Sequence, residues 1–125
     1  MALIFMITPN AASVDADQVL PLTTIARRLG RIITSGNDGV LLNLPGYYRV
    51  TASVTTTTTG NIEIKLQKNS VDVPGIIATS SDAGTITLSG IVRSFPNDSI
   101  ATLTLLNSGV AIDTTNISLE VEYIC

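Results

Sequence analysis

Gly46-Tyr47-Tyr48-Arg49-Val50-Thr51-Ala52-Ser53-Val54 is the stretch on which the fold turns. Successive side chains of a strand point to opposite faces, so Tyr48, Val50, Ala52 and Val54 share one face. Tyr47, Arg49, Thr51 and Ser53 share the other. Val, Tyr and Thr favour the pleated, half-buried surface of a sheet, which makes this a strand with one side to a core. Working outward, the threonine run Thr55 to Thr59 leads to Gly60-Asn61, a pair suited to a tight turn. Ile62, Ile64 and Leu66 then alternate with Glu63, Lys65 and Gln67. The two strands are expected to pair as a hairpin.

The same period recurs downstream. Ile86, Leu88 and Val92 alternate with Thr85, Thr87 and Arg93, with Gly90 interrupting the apolar face. Ile117, Leu119, Val121 and Tyr123 stand against Ser118, Glu120 and Glu122. Turn residues punctuate the chain at Ser35-Gly36-Asn37-Asp38-Gly39, Asp82-Ala83-Gly84, Pro96-Asn97-Asp98 and Ser108-Gly109. Many short strands with regular turns predict an all-β sandwich or barrel. The one helical candidate is Leu22 to Leu29, weakened by Thr23-Thr24-Ile25.

One strand departs from clean alternation. In Ile100-Ala101-Thr102-Leu103-Thr104-Leu105-Leu106, Leu103 and Leu105 occupy one face while Ile100 and Leu106 occupy the other. A strand apolar on both sides is covered on both sides. A two-layer sandwich supplies one cover, so the second face is expected to meet a neighbouring subunit.

Composition points the same way. The 125 residues suit one domain. Charged residues make up 14%, against about 25% in ordinary soluble domains, while 45% are hydrophobic and the mean hydropathy is +0.42. Part of that apolar surface is expected to face an assembly. The net charge of −3 argues against a nucleic-acid partner, which requires a basic stripe. Met1-Ala2-Leu3-Ile4-Phe5-Met6-Ile7 has no basic residue ahead of its apolar run and is too short for a signal peptide. No stretch has the length of a membrane span.

Four segments resemble, in order, the complement globular-head and tumour necrosis factor-like jelly rolls. Gly46 to Val54 resembles the family's Gly-x-Tyr strand, and Leu66-Gln67-Lys68-Asn69 the strand end that follows it. Asp98-Ser99-Ile100-Ala101-Thr102-Leu103 resembles the strand with an acidic start, and Ile117 to Ile124 the closing strand. Ser70 stands where the family usually has glycine, and aromatic residues are sparse at 4%. The likeness is strongest to the bacterial and bacteriophage branch, which includes spore-surface heads and phage fibre or capsid-decoration proteins. It implies an antiparallel jelly-roll sandwich of about ten strands assembling as a trimer, with Tyr47, Ala101, Leu103 and Leu105 at the trimer interface. It covers 20–125, leaving 1–19 as an N-terminal strand or an attachment arm.

Catalytic chemistry finds little support. There is no histidine, so neither a Ser-His-Asp nor a Cys-His arrangement can form. The sole cysteine, Cys125, allows no disulfide within the chain. Asp15, Asp17 and Asp113 carry oxygens suited to calcium but read as solvated loop carboxylates. Asn97-Asp98-Ser99 and Asn116-Ile117-Ser118 match the glycosylation sequon by chance. No enzyme, cofactor or metal site is expected. Arg27, Arg28 and Arg31 form the strongest local charge and, with Leu3, Ile4 and Phe5, a docking candidate for an acidic surface.

The expected function is that of a virion structural protein on the surface of a phage particle, a capsid-decoration or short fibre domain. Its partners would be its own copies and a major capsid or other virion protein. Nearly the whole sequence is domain, without a collagen-like stem, which favours a small stand-alone virion protein. The alternatives are an adhesin tip for a host receptor or surface glycan, and a head domain on a bacterial cell or spore surface.

Overall fold

The computed structural model describes residues 2–36, 38–97 and 100–125. Asn37 of the Ser35 to Gly39 turn lies outside them, as do Asp98 and Ser99 of the Pro96 turn and the first sequon. Twelve strands form among the described residues: β1 Leu3–Thr8, β2 Ala12–Val14, β3 Gln18–Val19, β4 Thr24–Leu29, β5 Ile33–Gly36, β6 Gly39–Leu42, β7 Gly46–Thr56, β8 Ile62–Lys68, β9 Val71–Ser80, β10 Gly84–Ser94, β11 Ala101–Asn107 and β12 Ile112–Tyr123. Setting aside the short β2 and β3, ten strands remain, as expected.

Two antiparallel sheets face each other. The first runs β10-β7-β12-β1-β4, with β2 beside β12; the second runs β5-β6-β11-β8-β9, with β3 beside β11. The period-two faces read from the sequence meet between them. Tyr48, Val50, Ala52 and Val54 of β7 are buried, as are Ile117, Leu119 and Val121 of β12. Opposite them lie Ile62, Ile64 and Leu66 of β8 and Ala101, Leu103 and Leu105 of β11, all in one continuous core. Burying one such aliphatic side chain contributes about 1.5–3 kcal/mol, so the inward faces together drive the layering.

The hairpin expected of β7 and β8 does not form. β7 pairs with β10 and β12, whereas β8 pairs with β9 and β11 in the other sheet. Period two fixes which face of a strand is apolar, and both strands satisfy it from opposite layers. The threonine run is the crossover. Thr56 Oγ1 donates to the Asp113 carbonyl at 2.7 Å, the Asp113 N–H donates to Thr58 Oγ1 at 2.9 Å, and Thr57 N–H reaches the Asp113 carbonyl at 3.1 Å. These bonds satisfy backbone groups that a hairpin ladder would otherwise have paired.

A true two-residue hairpin sits later. Lys68 pairs with Val71, leaving Asn69 and Ser70 at φ 52° and 66°. Positive φ at both central residues is the type I′ pattern, whose twist matches the flanking strands. The resemblance therefore places the turn correctly, and Ser70 adopts a conformation that glycine takes without steric penalty.

One further expectation is corrected. Thr24–Leu29 is the edge strand β4 rather than a helix, paired with β1 across a register shift at Phe5 and Met6. Leu3–Thr8 lies inside the first sheet between β12 and β4, with Ile4 fully buried. The first nineteen residues carry the strands Leu3–Thr8, Ala12–Val14 and Gln18–Val19. The alternation Ile4, Met6, Thr8 inward and Leu3, Phe5, Ile7 outward makes the first of these a core strand.

Gly46 begins β7 at φ 149°, where a Cβ would lie 2.6 Å from the Cys125 carbonyl oxygen and 2.7 Å from the Tyr123 ring. Without a side chain there, Tyr47 N–H bonds the Cys125 carbonyl and Ile124 N–H bonds the Tyr47 carbonyl. Tyr48 then packs edge-on against Tyr123, with ring centroids 5.2 Å apart, and its hydroxyl donates to the Leu44 carbonyl. Burial pushes the Tyr48 phenol above its ordinary value, partly offset by the bond to Leu44.

Candidate assembly interface

The outward face of the first sheet follows from register. On β1 it carries Leu3, Phe5 and Ile7, half-buried by their neighbours. Leu3 stands opposite Leu29 of β4 and Glu122 of β12, and Phe5 opposite Arg27 and Glu120. This flank therefore combines apolar side chains with Glu120, Glu122 and Arg27. Across β7 and β10 the same face becomes hydroxyl-rich, with Thr51 opposite Ser89 and Ser53 opposite Thr87.

The opposite flank is different in shape. Ile91 of β10 is 58% exposed and Phe95 43%, while Val71 of β9 is 66% exposed. With Pro74 they line a groove of about 290 Å³ between the two edge strands. Cations stack over its aromatic rings. The Arg93 guanidinium lies 4.6 Å from the Phe95 ring centroid and 5.4 Å from that of Tyr47, and Lys68 Nζ lies 4.8 Å from Phe95. Lys68 Nζ also donates to the Arg93 carbonyl at 3.0 Å. At its outer rim Asp72 bonds Gln67 and Lys65, each at 2.9 Å, which hold its carboxyl below the usual range.

The residues expected at a trimer interface divide. Tyr47 is 42% exposed beside Arg93 and Ile124. Ala101, Leu103 and Leu105 are wholly buried between the sheets of their own subunit. Their inward position is a correction: β11 turns Thr102, Thr104 and Leu106 outward instead, and no neighbour can reach Leu103 without opening the core. The docking candidates divide likewise. Ile4 is core, Leu3 and Phe5 face outward, and Arg27 and Arg28 lie exposed on β4, with Arg31 exposed just beyond. Ile91, Phe95, Lys68 and Arg93 were not anticipated. Their sequence signal is the doublet Ile91-Val92, which puts an apolar side chain on each face of a strand whose other outward residues are polar.

A third feature is a polar cleft of about 550 Å³ at one end of the sandwich, lined by Asn61, Glu63, Thr79, Ser80 and Ser108 among others. Ser108 Oγ donates to Glu63 Oε1 at 2.6 Å. Asp113 accepts from Ser13 Oγ at 2.7 Å, and no group of three or more metal-ligating side chains gathers among the described residues.

Solved structures share this fold. The PRD1 vertex protein P5, a phage protein, matches with a TM-score of 0.73 at 18% identity, covering 99% of this chain and 97% of that chain. The globular domain of zebrafish complement 1qA protein matches at 0.75 and 7% identity, covering 100% and 98%. The chain has the tumour necrosis factor-like jelly-roll fold. Murine APRIL, matching this jelly roll at 0.76 and 13% identity over 98% of both chains, has the same fold. No protein-family model matches the sequence, and no curated protein matches it. No helix of the described residues is long and apolar enough to cross a membrane.

Proposed function

We propose that this jelly roll is a non-enzymatic structural head that assembles as a homotrimer on the surface of a phage particle. The observation that carries the assembly is exposed apolar surface on two separate flanks, one along β1 and β4 and one between the edge strands β9 and β10 of the two sheets. The β1–β4 flank sets Leu3, Phe5 and Ile7 among Glu120, Glu122 and Arg27; the β9–β10 flank sets Val71, Ile91 and Phe95 among Lys68, Arg93 and Asp72. Contact between two different patches joins copies head to tail, and such a contact either closes into a ring or runs on as a filament. The trimer that the family resemblance implies is the closed solution. Tyr, Phe and Arg at the β10 flank are the residue types that dominate interface energies. The likeness to a vertex protein supports the virion setting.

Light scattering coupled to size exclusion tests the assembly. A trimer is expected at about 39 kDa, three times the 13.1 kDa chain. Ile91→Asp or Phe5→Asp is expected to release folded monomers, because each replaces an apolar side chain of the proposed contact by a charge that must be desolvated there, without entering the core. Leu103→Asp is expected to unfold the subunit. A wild-type monomer at micromolar concentration overturns the assembly, and dissociation by Leu103→Asp with retained fold overturns the assignment of faces.

The polar cleft favours one alternative, a glycan-binding tip. Its hydroxyls and the Glu63 carboxylate suit sugar hydroxyls, although no aromatic platform lines it. Ser80→Trp, placed to block the cleft, would then abolish binding on a glycan array and leave the trimer intact.

A further inference from the structure

The edge strand β4 combines two properties that point to one kind of partner. Among the described residues its only pairing is with β1, so alternate residues turn both N–H and C=O groups away from the sheet with no described strand to receive them. All six residues from Thr24 to Leu29 are exposed. The second property is charge. Three of the seven basic residues of the chain lie at Arg27, Arg28 and Arg31, in a protein of net charge −3. No carboxylate of the described residues lies within ion-pair distance of any of them. Edge strands carrying charge commonly use it to repel further strands. Here it repels one class in particular. A second β4 laid antiparallel would bring four arginines together, and like charges across a strand pair are destabilising.

We infer that the free edge of β4 receives an acidic extended segment of a partner protein, added as a further strand to the first sheet. Main-chain hydrogen bonds along about six residues, some 20 Å of strand, supply the register-independent part of the affinity. Arg27, Arg28 and Arg31 select for carboxylates on the incoming segment, and Leu29 and Ile25 beside them offer apolar cover. The site lies at the opposite end of the sheet from the β10 edge. The inference rests on the reading of the chain as an attached structural head, but not on its copy number.

The probe is an acetylated, amidated octapeptide alternating threonine and glutamate, titrated into the intact protein at low ionic strength. Backbone amide shifts and hydrogen exchange are followed by NMR, with light scattering on the same samples. The expected result is saturable binding that protects amides within residues 24–29. A threonine–lysine octapeptide is expected not to bind. A threonine–glutamate octapeptide N-methylated at alternate residues is expected to bind at least about tenfold more weakly, since one edge of its backbone can no longer pair. Arg27→Gln, Arg28→Gln and Arg31→Gln combined should weaken the parent peptide about tenfold, as three exposed ion pairs would allow. Equal binding of the N-methylated peptide means charge attraction without strand addition and overturns the proposal. So do protection elsewhere, absence of binding at millimolar peptide, and preferential binding of a single-stranded oligonucleotide. Peptide binding by a protein that scatters as a monomer upholds this site and removes the trimer instead.

Discussion

Replacing Asn107 with leucine tests whether a single buried amide holds one end of the sandwich. Asn107 ends β11 fully buried. Its Nδ2 donates to the carbonyls of Val14, Asp15 and Val110 at 3.2, 3.2 and 2.9 Å, and its Oδ1 accepts from Gly109 N–H at 3.2 Å. Two amide protons thus serve three carbonyls, tying the β2–β3 loop to the turn before β12. Asn107→Leu keeps the bulk of the side chain and strands its partners. The Val14 carbonyl is in the fully buried bond, and losing it costs about 1–3 kcal/mol; the three part-buried bonds, where water can enter, cost about 0.5–1 kcal/mol each. The sum is about 2.5–6 kcal/mol, a large share of the roughly 5–15 kcal/mol that holds a domain together. Urea unfolding followed by circular dichroism measures it, at fixed protein concentration because assembly adds to apparent stability. Asn107→Asp is expected to fall below Asn107→Leu, since it turns an acceptor toward three carbonyls. A loss under about 1 kcal/mol for leucine, or the reverse ranking, refutes the clamp.

Ser70→Gly is expected to raise stability by about 0.5–1 kcal/mol, because glycine takes the positive φ of the β8–β9 turn without the Cβ clash; the thermal midpoint reads this directly. Gly90→Ala is expected to cost about 1–3 kcal/mol, since its Cβ would lie 2.6 Å from Ile76 Cγ1. Ile76→Ala should cancel most of that cost, so chemical denaturation of the pair should be strongly non-additive. Alkaline stability follows from Tyr48. The folded state keeps its phenol protonated where the unfolded chain releases the proton, so stability falls as pH rises above the ordinary value of 10.0. Urea midpoints measured across that range should fall less steeply for Tyr48→Phe.

The sequence exposes faces better than partners. Alternation in β7, β8, β10 and β12 gives the inward residues correctly, because a one-residue error would turn every apolar side chain to water. It says nothing about which strand lies alongside, and the threonine crossover at Thr56 to Thr58 looks locally like the approach to a turn. β11 shows a second limit. Leu106 and Ile100 make its outer face look as apolar as its inner one, although Thr102 and Thr104 mark the wet side. At Asn107 a polar residue takes an inward position through hydrogen bonds that only the fold supplies. The interface candidates suffered from the same ambiguity. Tyr47 was legible as an exposed aromatic residue, whereas the flank of Ile91, Phe95 and Arg93 depends on bringing β9 of one sheet beside β10 of the other.

The place of β12 has a consequence for how the chain reaches this state. β12 lies between β1 and β7 in the first sheet, yet both precede it in sequence. As the chain grows, β1 has β4 on one side and β7 gains β10, but the slot between them stays empty until 112–123 emerge from the ribosome. Sheets closed by such distant pairings form slowly, on the order of milliseconds to seconds, because loop entropy is lost before the contacts form. Throughout that interval two strand edges face each other across a gap one strand wide. Any other nascent copy carrying a free β12 can fill it, which makes strand exchange between chains the characteristic misfolding hazard of this topology.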